Sequence, residues 1–243
     1  YSMIQIFEPA VEGAHYVLGF DPAEGIDKEE KNDPDASSVH VIRLDTQSVV
    51  AKINTQAEIS IVCIQVDRLG RYYNDAWLAF EVNNTMGGTA RQIFKDKEYP
   101  NLYSRESTRK ITDEITEEIG WRTDLVTRGA LVSDMQEVIR DRIVTVVSKE
   151  TCDQMGFFVV NKNGKAEAKS GEHDDDVMSL GIAIQMLLKL LRMGKQTEII
   201  EQPPLHHTER PDYDGSESFY TDTLSFNGAV DMMEDIHEDD ETW

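Results

Sequence analysis

The chain of 243 residues carries 46 Asp+Glu against 24 Lys+Arg, a formal net charge of −22. That excess of negative charge excludes a protein that adheres to anionic membranes, or coats DNA, through bulk charge. No apolar run approaches the ~20 residues of a membrane span, and the length suits one sizeable core or two small ones.

Residues 1–13 lack the basic start and continuous apolar stretch of a signal peptide and read as a linker. His15 to Phe20 reads as a buried strand ending at Asp21. A polar, Pro- and Gly-punctuated loop follows, then SSVHVIRLD and SVVAKINT, two β-rich runs that predict a hairpin against the first strand. From Ala57 to Tyr73, apolar residues at Ile61, Ile64, Leu69 and Tyr72 predict a helix. Trp77 to Glu81 predicts a short strand, VNNTMGG a loop, Thr89 to Lys95 a helix, and Asn101 to Ser104 a further short strand.

Ser107 to Glu118 is charged and reads as either helix or loop. A long helix is expected from the GWRT segment to about Arg140, a strand over Ile143 to Val147, and a small hairpin from Phe157 to Val160 and Gly164 to Ala168. The last helix is expected over His173 to Met193, closed by Gly194. Strands first, then alternation with helices, predict an α/β fold with a mixed central sheet flanked by helices. Residues 14–194 form that domain. Residues 195–243 hold 14 acidic residues against Lys195 and Arg210 and read as a disordered acidic tail, with apolar islands suited to docking.

Cys63 and Cys152 make no metal motif and are expected to be unpaired buried thiols in a reducing compartment. No Cys/His spacing would close a zinc site.

Three acidic stations stand out by position. Asp21 and Glu81 each end a strand, and Asp174, Asp175 and Asp176 open the last helix. Singly, each has a plain structural reading: an Asx-turn before Pro22, a carboxylate closing an apolar run, a capping cluster. Strand ends of an open α/β sheet are where sites form. A helix N-terminus stabilises a carboxylate by only ~0.3–1 kcal/mol, too little to offset several facing one another. A hard divalent cation, Mg²⁺ or Mn²⁺, fits such an all-oxygen set. His173 reads as a supporting or capping residue.

These stations, with their flanks, resemble the nuclease domain of tailed-phage terminase large subunits, the DNA-packaging motors. The matching stretches are VLGFDPAEG with DASS downstream, WLAFEVNNTMGG, EIGWRT and EHDDDVMSLGIAI, spanning Ala14 to Leu191. The resemblance implies an RNase H-like fold and cleavage of double-stranded DNA by two metal ions held at Asp21, Glu81, Asp174 and Asp175. Asp176 falls where the family is apolar or variable and is assigned, with His173, a supporting role. The family's ATPase motor carries a phosphate-binding G-x-x-x-x-G-K-[ST] loop that is absent from this sequence, so the chain reads as the nuclease half of a longer protein. Expected partners are that motor domain, the portal protein and the small terminase subunit, in the host cell cytoplasm. Phosphate contacts are sought at Arg91, Lys95, Arg122, Arg128, Lys162 and Lys165. A junction resolvase or transposase-like nuclease of the same fold, and a non-catalytic portal or capsid docking module, are the alternatives.

Overall fold

The computed structural model describes residues 3–23, 35–108, 115–160, 166–169 and 171–196. The loop over 26–34, Lys162, Lys165 and the acidic residues 197–243 lie outside them.

Strand β2 (Tyr16–Asp21) is buried along nearly its whole length, between β3 and β5 of the main sheet. Its period-two side chains split between two cores, as a strand buried on both faces requires. Tyr16, Leu18 and Phe20 join one apolar cluster; Val17 joins the other. On one side β2 pairs antiparallel with β3 (Ser37–Arg43), which pairs with β4 (Val49–Thr55). On the other it pairs parallel with β5 (Trp77–Phe80). Strand β1 (Ile4–Ile6) adds to the outer side of β4, giving the order β1-β4-β3-β2-β5. The segment expected as a linker thus contributes an edge strand, and Phe7 and Glu8 N–H both donate to Val50 O.

Helices α1 (Ile59–Tyr72) and α2 (Thr85–Asp96) cover the face carrying Leu18 and Phe20 through Val62, Val66, Leu69 and Phe94. Helices α3 (Leu125–Arg140) and α5 (Asp175–Gln196) cover the opposite face through Leu131, Met135, Leu180, Ala183 and Leu187. This is the expected mixed sheet flanked by helices. Among the described residues no helix is long and apolar enough to cross a membrane.

Two glycines set how closely helices approach the strand ends. A Cβ on Gly19 would overlap Ala183 N and Ser179 O, so α5 rests directly on the β2 backbone. A Cβ on Gly87 would strike Glu81 O, so the start of α2 is pressed onto the end of β5. That second contact explains why α2 begins at Thr85 and not Thr89. Asn84 caps it by accepting from Gly87 N at 2.7 Å, and the glycines read as loop are its first turn.

Other expectations are corrected. The described residues of the span read as helix or loop, 107–108 and 115–118, are strand: β6 (Ser104–Thr108) and β7 (Ile115–Ile119) pair antiparallel outside the main sheet, and 109–114 lie outside the described residues. Such a two-stranded sheet accepts charge because it is not buried in the main sheet, and Arg105 pairs with Glu118 across it. Of Asn101 to Ser104, Leu102 makes a bridge to Leu78 and Ser104 opens β6, and Ile143 to Val147 yields a bridge of Thr145 to Ser48. Helix α4 (Lys149–Phe157), capped by Ser148, was not foreseen. The hairpin of β8 (Phe158–Val160) and β9 (Ala166–Ala168) forms as expected. Helix α5 continues past Gly194 to Gln196. Cys63 is buried, which pushes its thiol up to about 12, but Cys152 is exposed.

Candidate active site

Parallel pairing of Phe20 with Phe80, and the hydrogen bond from Glu81 N to Phe20 O (3.0 Å), put Asp21 and Glu81 side by side at the ends of β2 and β5. Antiparallel pairing of Asp21 with Ser38 brings the residues just before β3 to the same end. Helix α5, seated on Gly19, delivers Asp174 and Asp175 from its N-terminus. These elements enclose a cleft of about 230 Å³ lined by Asp21, Pro22, Ala23, Asp35, Glu81, Asn84, Arg128, Asp174, Asp175 and Met178. All four residues expected to hold metal therefore face one space.

The electrostatics reflect that crowding. Burial, then the negative charges of Glu81 and Asp175, a hydrogen bond with Glu81 and the charge of Asp174 hold the Asp21 carboxyl well above its ordinary range. Asp175 is 8% exposed, and burial, reinforced by Asp35 and Asp174, pushes it up to about 7. The Ala36 N–H donated to Asp175 Oδ2 at 3.1 Å opposes this, as does His173, whose Nδ1 lies 3.7 Å from the same oxygen. Asp174 Oδ2 accepts from Arg128 Nη2 at 2.8 Å.

The donor set is all oxygen, anionic and gathered at one open cleft, which suits a hard divalent cation rather than a soft one. Among the described residues no group of three or more His, Cys, Asp or Glu side chains is already arranged as a metal-holding cluster. Asp21 is hydrogen-bonded to Glu81, one oxygen of Asp174 is engaged by Arg128, and one of Asp175 by Ala36. The residues fit hard cations, with these contacts exchanged for ion ligation.

Asp176 is turned away from the cleft. It is 0% exposed, and its carboxylate accepts from Ser38 Oγ (2.7 Å), Asn54 Nδ2 (2.8 Å) and Thr151 Oγ1 (3.1 Å) and pairs with Lys52 Nζ at 2.5 Å. Burial alone would raise it, but His40 and Lys52 beside it outweigh that and hold it below the usual carboxylate range. His40 bridges Ser179 and Thr151 and is itself driven down to about 4, chiefly by burial. The third aspartate thus anchors α5 to β3, β4 and α4, while the first two face the cleft.

Of the expected cationic contacts among the described residues, Arg128 alone lines the cleft. Arg122 is exposed and follows Trp121, which is bridged to Glu81. Arg91 and Lys95 lie on α2, away from the cleft lining. Asp35 and Asn84 were not singled out from sequence. The hairpin register contained the signal for Asp35, since residues preceding β3 must lie beside the end of β2. Asn84 reaches back to donate to Pro22 O at 2.9 Å, which ties the two strand-end loops together.

No protein-family model matches the chain, and no curated protein matches it. Solved structures do. The large terminase nuclease from thermophilic phage G20c with bound magnesium is 18% identical, at a TM-score of 0.58 over 76% of this chain and 88% of that one. Its cobalt-bound form is 16% identical with the same score and coverage. The large terminase nuclease domain of Thermus phage P74-26 is 18% identical, at 0.55 over 75% of this chain and 85% of that one. With so few residues shared, what these proteins have in common with the chain is its architecture: it has the RNase H-like fold of large terminase nuclease domains.

Proposed function

We propose that the chain is the metal-dependent endonuclease domain of a phage DNA-packaging terminase, acting on double-stranded DNA. The observation that carries this reading is the meeting of Asp21, Glu81, Asp174 and Asp175 at one cleft, with the Asp21 carboxyl pushed up by burial and then by its acidic neighbours. Magnesium and cobalt bound to the G20c nuclease support divalent metal in this fold.

The four carboxylates are assigned as ligands for two Mg²⁺ or Mn²⁺ ions. Such ions, when bound, lower the pKa of water and offset charge on the leaving 3′ oxygen during phosphodiester hydrolysis. The chain's own residues do the rest. Asp21 and Glu81, fixed on adjacent strands, define one wall, and Asp174 and Asp175 on α5 the other. The Ala36 N–H and His173 orient Asp175. Arg122, Arg91 and Lys95, with Lys162 and Lys165, are assigned to the duplex backbone, with no base reading, so cutting is without sequence preference. With −22 overall and few cations at the cleft, the domain holds DNA weakly by itself. Assembly with an ATPase motor domain, the portal and the small subunit in the host cytoplasm then supplies the DNA concatemer.

The test is plasmid digestion with Mg²⁺, Mn²⁺, Ca²⁺ and EDTA, beside Asp21→Asn and Glu81→Gln. Cleavage is expected with Mg²⁺ or Mn²⁺ and is lost in EDTA and in both variants. Cleavage that survives EDTA, or is indifferent to both substitutions, overturns the reading.

A further inference from the structure

The most unusual neighbour of the carboxylates is Arg128. It sits one turn into α3, behind a capping box in which Asp124 accepts from Val126 N and Thr127 N. Its guanidinium is held at three points. Nη2 donates to Asp174 Oδ2 at 2.8 Å, Nε donates to Ala166 O on β9 at 2.8 Å, and the group lies 5.9 Å from the Phe158 ring centroid on β8. The side chain is 19% exposed and that of Asp174 30% exposed, so solvent reaches the pair. Among the residues lining the cleft, Arg128 is the one cationic side chain set against Asp21, Asp35, Glu81, Asp174 and Asp175.

Two features make this contact exchangeable. An unconstrained Arg–carboxylate pair is commonly two-pronged. Here the Nε–Nη2 edge is divided between a backbone carbonyl and one carboxylate oxygen, so the guanidinium holds Asp174 through a single hydrogen bond. Asp174 also faces the cleft that the proposed function assigns to divalent cations, and a doubly charged ion attracts it more strongly than a guanidinium at the same distance. Once displaced from Asp174, the guanidinium stays tethered near the carboxylates by Ala166 O and the Phe158 ring. A phosphate oxygen is a favoured partner for a guanidinium.

We propose that Arg128 is an internal counter-ion with two alternate partners: it neutralises Asp174 until a divalent cation takes that carboxylate, and then contacts a DNA phosphate. Cation binding and DNA binding at the cleft are thereby positively coupled, each releasing or engaging the same guanidinium. Because β8 and β9 hold two of its three anchors, the position of that hairpin helps set the balance. The inference rests on the nuclease reading of the same site, and it assigns Arg128 a positioning role rather than a share in bond cleavage.

The test uses the full chain and two binding measurements that do not depend on turnover. Mn²⁺ is titrated calorimetrically without DNA, and a fluorescent 20-base-pair duplex is titrated by anisotropy with and without Ca²⁺. In Arg128→Gln the competitor for Asp174 is gone, so Mn²⁺ is expected to bind roughly tenfold more tightly than in wild type. The tightening of duplex by Ca²⁺, about tenfold in wild type, is expected to fall to about twofold or less. Arg128→Lys, which keeps the charge but not the fork, falls between.

Unchanged or weaker Mn²⁺ binding in a folded Arg128→Gln, checked by circular dichroism, makes Arg128 a structural brace and overturns the proposal. Should that variant not fold, wild type alone decides: no reciprocal tightening between Ca²⁺ and duplex overturns it equally. Wild type that binds no Mn²⁺ removes the nuclease reading together with this one. Wild type that binds metal and cuts DNA without coupling sinks only the counter-ion.

Discussion

Replacing Asp175 by Asn converts a buried carboxylate into a neutral group of nearly the same shape whose oxygen still accepts the Ala36 N–H. In the folded protein Asp175 is pushed up to about 7 from an ordinary value of 3.8. A group that binds its proton more tightly folded than unfolded favours folding most below the unfolded value, and that stability is lost as pH rises toward the folded value. At 1.36 kcal/mol per unit, the cost of the ionised form reaches on the order of 4 kcal/mol by pH 8, against under about 2 kcal/mol at pH 5. At 8% exposure, Asp175 has little solvent to screen that cost.

Asp175→Asn is therefore expected to be more stable than wild type at pH 8 by several kcal/mol, with the gap narrowing steadily toward pH 5. His40, buried and driven down to about 4, tilts stability the other way, since the unfolded chain takes up its proton as pH falls below about 6.5. That contribution is common to both proteins and cancels in the difference. Urea titrations of the pair at pH 5, 6, 7 and 8 measure the gap directly. Adding 10 mM MgCl₂ should raise the wild-type midpoint at pH 8 and leave the variant nearly unmoved. Parallel pH curves for the two proteins would refute the claim that this carboxylate is held charged at a cost within the cleft.

The other expectations are simpler. Glu81→Gln should bind Mn²⁺ at least tenfold more weakly while melting within a few degrees of wild type, read by calorimetry and thermal unfolding. Lys52→Met leaves Asp176 buried without its cation and should cost about 3–5 kcal/mol in urea unfolding. Adding Asp176→Asn should restore part of that loss, because the unpaired buried charge is removed while an oxygen remains to accept from Ser38 and Asn54. Gly19→Ala forces a methyl into the backbone of α5 and should destabilise by on the order of 3 kcal/mol, visible as a lower melting temperature and reduced metal affinity together.

Much of the site was legible because it follows from strand arithmetic. Asp21 and Glu81 each close a short apolar run, and once both runs are strands of one parallel pair their ends must meet. The aspartates before a long apolar helix were equally visible. What residue type concealed was direction, and it was the family resemblance that set the third aspartate apart. Asp174, Asp175 and Asp176 are alike chemically, yet the turn of α5 sends the first two to the cleft and the third to Lys52, with His40 beside it. Local reading failed where tertiary context decides: the charged β6 and β7 pair outside the main sheet, with Ile119 at their end packed on the core, and α2 starts early because the Gly87 backbone can lie against Glu81. Ile143 to Val147 looked like a strand by composition but finds only one bridging position, at Ser48.

The seating of α5 on Gly19 has a further consequence. Gly19 and Asp21 are two residues apart on the same strand, one giving the helix its place and the other meeting what the helix carries. A related chain that keeps the aspartate but has a bulky residue two positions earlier must hold its helix farther off, with the two acidic walls spread apart. The pair, read together, is thus a simple criterion for which distant sequences can bring the two acidic walls this close.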